Sequence, residues 1–354
     1  MSSVRQLQLQ HVRIHLATSV QISPQVTLIT GLNGSGKTSL IEAIYLAFQG
    51  SSFKGADGDM LQRGETWWRI DITLADDSVR TVKFDSERVT GRKQFTVDSK
   101  TMYRLSPRYK YPVVLFEPDD LRLLHGSPTR RRQFIDRFIS QLDPLYGAAL
   151  RKYDRALKQR NNLLKKQFSS DDELFVWDVA LAEHGAYIIE QRIQFIERIN
   201  QELNDGYQAI AHSDDVVSVH YSHTLVGNVQ QKLLGELHAH SARDKLLGYT
   251  SVGPHRHDVL FIFNTTPALS SASRGEIRSI VLALKFLEIS IIKQITSQTP
   301  IVLLDDVFSE LDETRQKALT QSDFGAQIII ATTNSHHDYA SLPSLVHIAL
   351  GESN

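Results

Sequence analysis

The sequence predicts an α/β layer fold that carries an antiparallel β meander and an inserted α-helical arm, and three observations predict it. Short, almost wholly apolar runs bounded by polar or turn residues occur at 25–30, 300–304 and 327–331, the pattern of parallel strands buried on both faces. Between residues 65 and 95 the pattern alternates instead, in WWRIDITLA and SVRTVKFD, as in a meander with one wet face. From about residue 119 to 240 apolar residues recur at three- and four-residue spacing, in RRRQFIDRFISQL, ALRKYDRALKQRNNLLKK and VWDVALAEHGAYIIEQRIQFIERINQELN, so this stretch is helical.

The helical block lies between the first buried strand and the later ones. It therefore reads as an insertion, giving a discontinuous head of residues 1–118 and 241–354 and an arm of residues 119–240. Sustained heptads are missing, so the arm is expected to be compact and not a long coiled coil.

Composition bounds the function classes. With 354 residues, 41% hydrophobic and 22% charged, the chain has the makeup of a soluble globular protein able to bury a large core. It shows neither an apolar run long enough for a membrane helix nor a secretory pattern, which predicts a cytoplasmic protein with no membrane span. Zero cysteines exclude disulfides, thiolate metal sites and cysteine nucleophiles. The 14 histidines include no HExxH spacing. Net charge is −1, yet residues 103–166 hold 15 Lys or Arg against 6 Asp or Glu. Such a one-signed segment suits phosphate neutralisation, and a solvated helical face explains it equally well.

The first motif is GLNGSGKT, comprising Gly31, Leu32, Asn33, Gly34, Ser35, Gly36, Lys37 and Thr38, with Ser39 continuing into a helical pattern. A glycine loop between a strand and a helix presents amides and a helix N-terminus to phosphates; Lys37 would reach the β- and γ-phosphates of ATP, and the Thr38 hydroxyl would ligate Mg²⁺. The second is IVLLDDVFSELD at 301–312. There Asp305 would hold Mg²⁺ and Asp306 would polarise the attacking water, whereas a plain reading makes both aspartates helix caps.

Before this strand comes Ser273-Arg274-Gly275-Glu276, which resembles the signature motif of ATP-binding-cassette proteins. There a serine and a glycine amide bind the γ-phosphate held by a second subunit, although a helix N-cap explains the string as well. Asp312 resembles the following D-loop. Thr333 falls in the register where many cassette ATPases carry a histidine, with His336 three positions on as a substitute.

Three further strings, FEPDDLRLLHGSPTRRRQFID (116–136), YDRALKQRNNLLKK (153–166) and GPHRHD (253–258), resemble the bacterial RecF family of DNA replication and repair proteins, as does LIEAIYLAFQGSSFKG after the phosphate loop. His257 departs from the acidic residue expected there. The resemblance implies an ABC/SMC-type ATPase head, a P-loop NTPase, working as an ATP-dependent homodimeric clamp on double-stranded or gapped DNA. It also implies slow, DNA-stimulated ATP hydrolysis that releases DNA, and action with RecR and RecO in loading RecA. Within that scheme Ser273, Gly275 and Asp312 would complete the partner's site, and Glu117 would couple site and arm.

Candidate DNA-phosphate contacts are Arg130, Arg131 and Arg132, then Lys158, Arg160, Lys165 and Lys166, against the alternative of solvated or salt-bridged arginines. For Arg256 the options are a brace, a DNA contact or a structural salt bridge, the last preferred. No recognition helix or aromatic stacking platform is evident. A transport cassette ATPase would need a separate permease, a P-loop kinase would lack the S-x-G-E string, and an ATP-gated nuclease would need an acidic metal cluster beyond residue 312.

Overall fold

The computed structural model describes residues 3–166, 170–223, 225–321, 325–333 and 344–351. The chain begins with a hairpin, β1 (Val4–Val12) and β2 (His15–Gln21), then β3 (Val26–Gly31), α1 (Lys37–Gln49), and four strands β4 (Trp67–Leu74), β5 (Val79–Asp85), β6 (Lys93–Val97) and β7 (Lys100–Met102). After β8 (Val113–Phe116) it forms α2 (Pro128–Leu142), α3 (Pro144–Leu164), α4 (Asp171–Ala211), β9 (Val217–Ser222), α5 (Val229–Ala239) and α6 (Ser241–Leu247). There follow β10 (Asp258–Phe263), β11 (Thr266–Pro267), α7 (Ala268–Ser271) and α8 (Arg274–Thr296). It closes with β12 (Ile301–Asp305), α9 (Glu313–Gln321), β13 (Ile328–Thr332) and β14 (Leu345–Leu350). Each of the three expected buried strands sits one residue later than its apolar run. No described helix is long and apolar enough to cross a membrane.

Two compact units result, one of residues 1–120 and 288–354, the other of residues 121–287. In the first, five parallel strands run in the order β14-β3-β13-β12-β8, and six antiparallel strands in the order β2-β1-β4-β5-β6-β7. Helix α1 packs against both sheets, which is why LIEAIYLAF is apolar nearly all round and buried throughout. Gln327 fastens the two sheets together, its amide donating to the carbonyls of Val4 (2.7 Å) and Ser23 (2.6 Å) while accepting from the Val4 amide (2.8 Å).

The second unit differs from the expected arm at one end. Residues 241–287, assigned to the head from sequence, belong here, because β10 pairs with β9 along its whole length and Tyr207 of α4 packs edge-on against Phe263. Two buried arginines tie this unit together. Arg192 of α4 makes a two-pronged bond with Asp136 of α2 (2.9 and 2.8 Å) and donates to the Pro254 carbonyl. Burial disfavours its charge, but Asp136 beside it holds its pKa well above the ordinary value. Arg160 of α3 is bonded to Asp178 (2.5 Å), Asp244 (2.6 Å) and the Thr250 hydroxyl (2.9 Å).

Candidate active site

Strand β3 delivers the phosphate loop to the head of α1. Gly34 and Gly36 take left-handed backbone angles (φ 83° and 92°), and a Cβ on Gly36 would lie 2.3 Å from His15 Nε2, so only glycine fits there. Lys37 is buried and folds back on its own loop, donating from Nζ to the carbonyls of Gly31 (2.8 Å) and Leu32 (2.9 Å). Those carbonyls hold the ammonium over the concavity that would receive phosphate.

Strand β12, hydrogen-bonded between β13 and β8, carries Asp305 to the same end of the sheet. Thr38 donates from Oγ1 to Asp305 Oδ1 at 2.8 Å, joining the two motifs that lie 267 residues apart in the chain. Burial pushes the Asp305 carboxyl up; the Thr38 hydroxyl and the nearby Lys54 ammonium oppose that shift.

Asp306 stands next along in a left-handed conformation (φ 53°), held there by its amide bond to the Ala331 carbonyl (2.8 Å). A non-glycine residue in that region costs of order 1–3 kcal/mol and persists where the surroundings over-determine it. Its Oδ1 is buried and has no hydrogen-bond partner among the described residues. The Thr38 hydroxyl and the Asp305 carboxylate are hard oxygen donors, and the charge of the adjacent Asp306 reaches Asp305, adding to the upward push on its carboxyl. This set fits a divalent cation bound jointly with phosphate oxygens, and a water aligned for attack.

Three residues not named individually from the sequence support this corner. His15 bridges Thr18 (Nδ1, 3.0 Å) and the Gly36 carbonyl (Nε2, 3.1 Å), so Nε2 carries the proton; burial lowers its pKa, against the raising effect of that carbonyl. Lys54 Nζ lies 3.7 Å from Asp305 Oδ2. Glu42 of α1 is buried, held by Arg13 (2.9 Å) and Ser52 (2.5 Å). Glu42 and Lys54 lie in the family-like string after the phosphate loop without being marked out within it, and His15 lies in no motif.

Other candidates fall elsewhere. Ser273 and Glu276 form a reciprocal cap at the start of α8, Ser273 amide to Glu276 Oε2 at 2.5 Å and Glu276 amide to Ser273 Oγ at 3.3 Å, with Ser273 exposed and Gly275 half-buried. Asp312 caps α9 through the Arg315 amide (3.0 Å) and pairs with the Arg315 guanidinium. The Glu117 amide donates to Asp120 Oδ2 (3.1 Å), turning the chain after β8. Thr333 is exposed just past β13, whereas His336 lies outside the described residues.

The DNA-contact candidates divide sharply. Arg160 is not a surface residue at all, being 0% exposed within its two carboxylates. Arg131 is committed to Asp258 (2.9 and 2.7 Å) and to the Gly126 carbonyl (2.6 Å), and Arg132 to the His257 carbonyl (2.6 Å) and Thr129 (2.9 Å). Arg130 is half-buried, while Lys158, Lys165 and Lys166 are exposed. Arg151 and Arg155, which sequence reading passed over, join Lys158 at three- and four-residue spacing along one face of α3, with Lys165 capping the end of the helix.

The GPHRHD string is structural. Arg256 donates to the Thr250 carbonyl (3.1 and 2.9 Å) and stacks over Tyr249, in place of the expected salt bridge. His255 accepts or donates at the Tyr153 hydroxyl (2.7 Å), and His257 at the Tyr221 hydroxyl (2.9 Å). Burial pulls His255 down to about 4 and His257 to about 3, the latter helped by Arg192. Since unfolded histidine titrates near 6.5, the unfolded chain binds more protons below that pH. The second unit is therefore expected to be fully stabilised by these rings above about pH 6.5 and to lose that contribution as pH falls toward 4 and 3. Urea unfolding across this range should show a midpoint that drops with pH, and His257→Gln should flatten the drop.

Comparison with known proteins gives one consistent answer. Residues 6–211 match the family model described as an AAA domain. A DNA replication and repair protein RecF from Streptococcus agalactiae serotype V is 34% identical over 98% of this chain and 95% of its own length. One from Streptococcus pyogenes serotype M5 is 35% identical over the same shares. Among solved structures, the recombination mediator protein RecF with ATP in the RecFOR pathway superposes with a TM-score of 0.83 at 28% identity, covering 95% of this chain and 93% of that one. An Smc head bound to the C-terminal winged-helix domain of ScpA gives 0.53 at 14% identity, covering 94% and 90%, which speaks to the fold alone.

Proposed function

The chain belongs to the RecF family of DNA replication and repair proteins and is an ATPase of ABC/SMC-head fold, and from that premise we propose that it is an ATP-gated, homodimeric DNA clamp. The observation that carries the proposal is the Thr38–Asp305 hydrogen bond that joins the phosphate loop to the end of β12, followed by Asp306 with a left-handed backbone and a buried Oδ1 that lacks a partner. Thr38 and Asp305 would hold Mg²⁺ there, Lys37 would draw the γ-phosphate and Asp306 would orient the attacking water. Magnesium, when bound, neutralises the charge that develops on the phosphate oxygens.

Ser273 and Gly275 of one subunit, with Asp312, close over the nucleotide of the other, so ATP joins the dimer and hydrolysis opens it. The exposure of Ser273 supports this reading; the Glu276 carboxylate that now caps the Ser273 amide would have to give way to a partner's phosphate. DNA then lies along the basic face of α3, at Arg151, Arg155 and Lys158, with Lys165 and Lys166 at its end; Arg130 is a secondary contact. Residues 121–287 serve as the arm and the remainder as the head, in a cytoplasmic protein that acts with RecR and RecO to load RecA at gaps.

ATP turnover measured with and without gapped duplex DNA tests the scheme. Turnover is slow alone and rises with DNA; a rate indifferent to DNA, in a monomer at every nucleotide condition, would leave the kinase reading in its place. Changing Lys158, Lys165 and Lys166 to alanine is expected to weaken duplex binding uniformly across sequences and to lower the salt slope by about three, roughly one per lost phosphate contact. An unchanged slope would remove the α3 face as the DNA surface.

A further inference from the structure

We propose that the antiparallel sheet of the first unit carries a stacking site for one unpaired nucleic-acid base, built around Trp67. The inference rests on the clamp reading and extends it to the single-stranded side of a gap. Three observations converge on it. Trp67 is 39% exposed although it opens a strand whose next residue, Trp68, is completely buried. A cavity of about 180 Å³ lies beside it, lined by Trp67, Lys83, Arg88, Arg92 and Gln94 together with Asp85. Of the charged residues lining it three are cations and one, Asp85, is an anion that pairs with Arg88 at 3.2 Å; Glu65, paired with His11 at 3.0 Å, is a second carboxylate near the indole.

The cations are available. Among the described residues Lys83 has no hydrogen-bond or ion-pair partner, and Arg92 donates only from Nε, to the Arg88 carbonyl (2.9 Å). The indole is meanwhile packed against the His11 ring at 4.4 Å between centroids. A packed aromatic ring beside exposed cations is the combination that holds a base by its π-face and the adjoining phosphate by charge.

Size and edges choose between occupants. Small-molecule pockets run to about 300–1,000 Å³, so this one takes a single ring and little more. An acidic peptide would need either a long groove or an unpaired strand to add to, yet β4 and β5 are each paired on both sides. The fold thus makes a stacking platform where the sequence displays no motif for one, by bringing the 67–68 aromatic pair against the 86–92 turn.

The test uses the full chain with ATP and two probes, an oligothymidylate and a blunt duplex. Trp67→Ala is expected to lower oligothymidylate affinity about five- to a hundredfold, the range for loss of one stacked base, and to leave duplex affinity in place. Trp67→Phe should restore most of the loss, and Lys83→Ala, on an exposed side chain, should reduce the salt slope for the single strand alone. Oligothymidylate affinity unchanged by Trp67→Ala, or absent in the unaltered protein, overturns the site. So does an acidic peptide ending in an aromatic residue that binds at Trp67 where the oligonucleotide does not. Loss of duplex binding in the unaltered protein would instead sink the clamp reading, so the two failures are separable.

Discussion

Asp306→Asn is expected to cut ATP turnover by about a hundredfold to ten-thousandfold, the usual worth of a positioned general base, while leaving ATP binding intact and trapping the nucleotide-bound dimer. Asparagine is the informative choice for a structural reason. Asp306 sits at φ 53°, and Asn tolerates that region as well as Asp does, so the substitution removes the charge without adding strain. Alanine would confound lost chemistry with a backbone it fits badly. Steady-state hydrolysis, nucleotide binding and light scattering together check the outcome; turnover within a few-fold of the unaltered protein would take Asp306 out of the reaction. Lys37→Ala should behave differently. Its ammonium also braces the loop through the Gly31 and Leu32 carbonyls, so binding itself should fail.

What could be read from the sequence follows the range of the forces involved. The buried strands and the phosphate loop were legible because their causes are local: a short apolar run, glycines at φ values only glycine adopts readily, a helix N-terminus next door. The basic segment at 103–166 was half legible. Its arginines stand out, but the carboxylates that neutralise Arg131 and Arg160 are Asp258, Asp178 and Asp244, all outside the segment, so a local charge count cannot register them. Lysines at the surface keep their charge free, which is why Lys158 and Lys165 survive as DNA candidates while Arg160 does not. The end of the second unit was hidden for the same reason, since it depends on β9 meeting β10 across 35 intervening residues. Asp306 was legible as a second aspartate after a strand; that its oxygen would be orphaned and its backbone left-handed was not.

Arg160→Ala is expected to destabilise the second unit by about 3–5 kcal/mol, the cost of breaking a buried ion pair from one side. The guanidinium is wholly enclosed and touches α4 through Asp178, α6 through Asp244 and the following turn through Thr250, so its loss uncouples three segments at once. Most of the penalty comes from the carboxylates left behind. Burial already raises the Asp178 pKa above its ordinary value, with Arg160 as the main opposing influence. Without Arg160 the carboxyl should rise further. A carboxyl whose folded pKa exceeds its unfolded one stabilises the fold at low pH and loses that effect as pH rises, so the variant's deficit should be larger at pH 8 than at pH 5. Urea unfolding at the two values decides the matter, and a deficit below about 1 kcal/mol at both would mean that water reaches the site. Pairing Arg160→Ala with Asp178→Asn and Asp244→Asn should recover part of the loss, because neutral amides need no counter-charge. The same variants separate stability from DNA contact: if Arg160 acts only inside the unit, DNA affinity per folded molecule stays constant, whereas Lys158→Ala lowers affinity and leaves the urea midpoint unmoved.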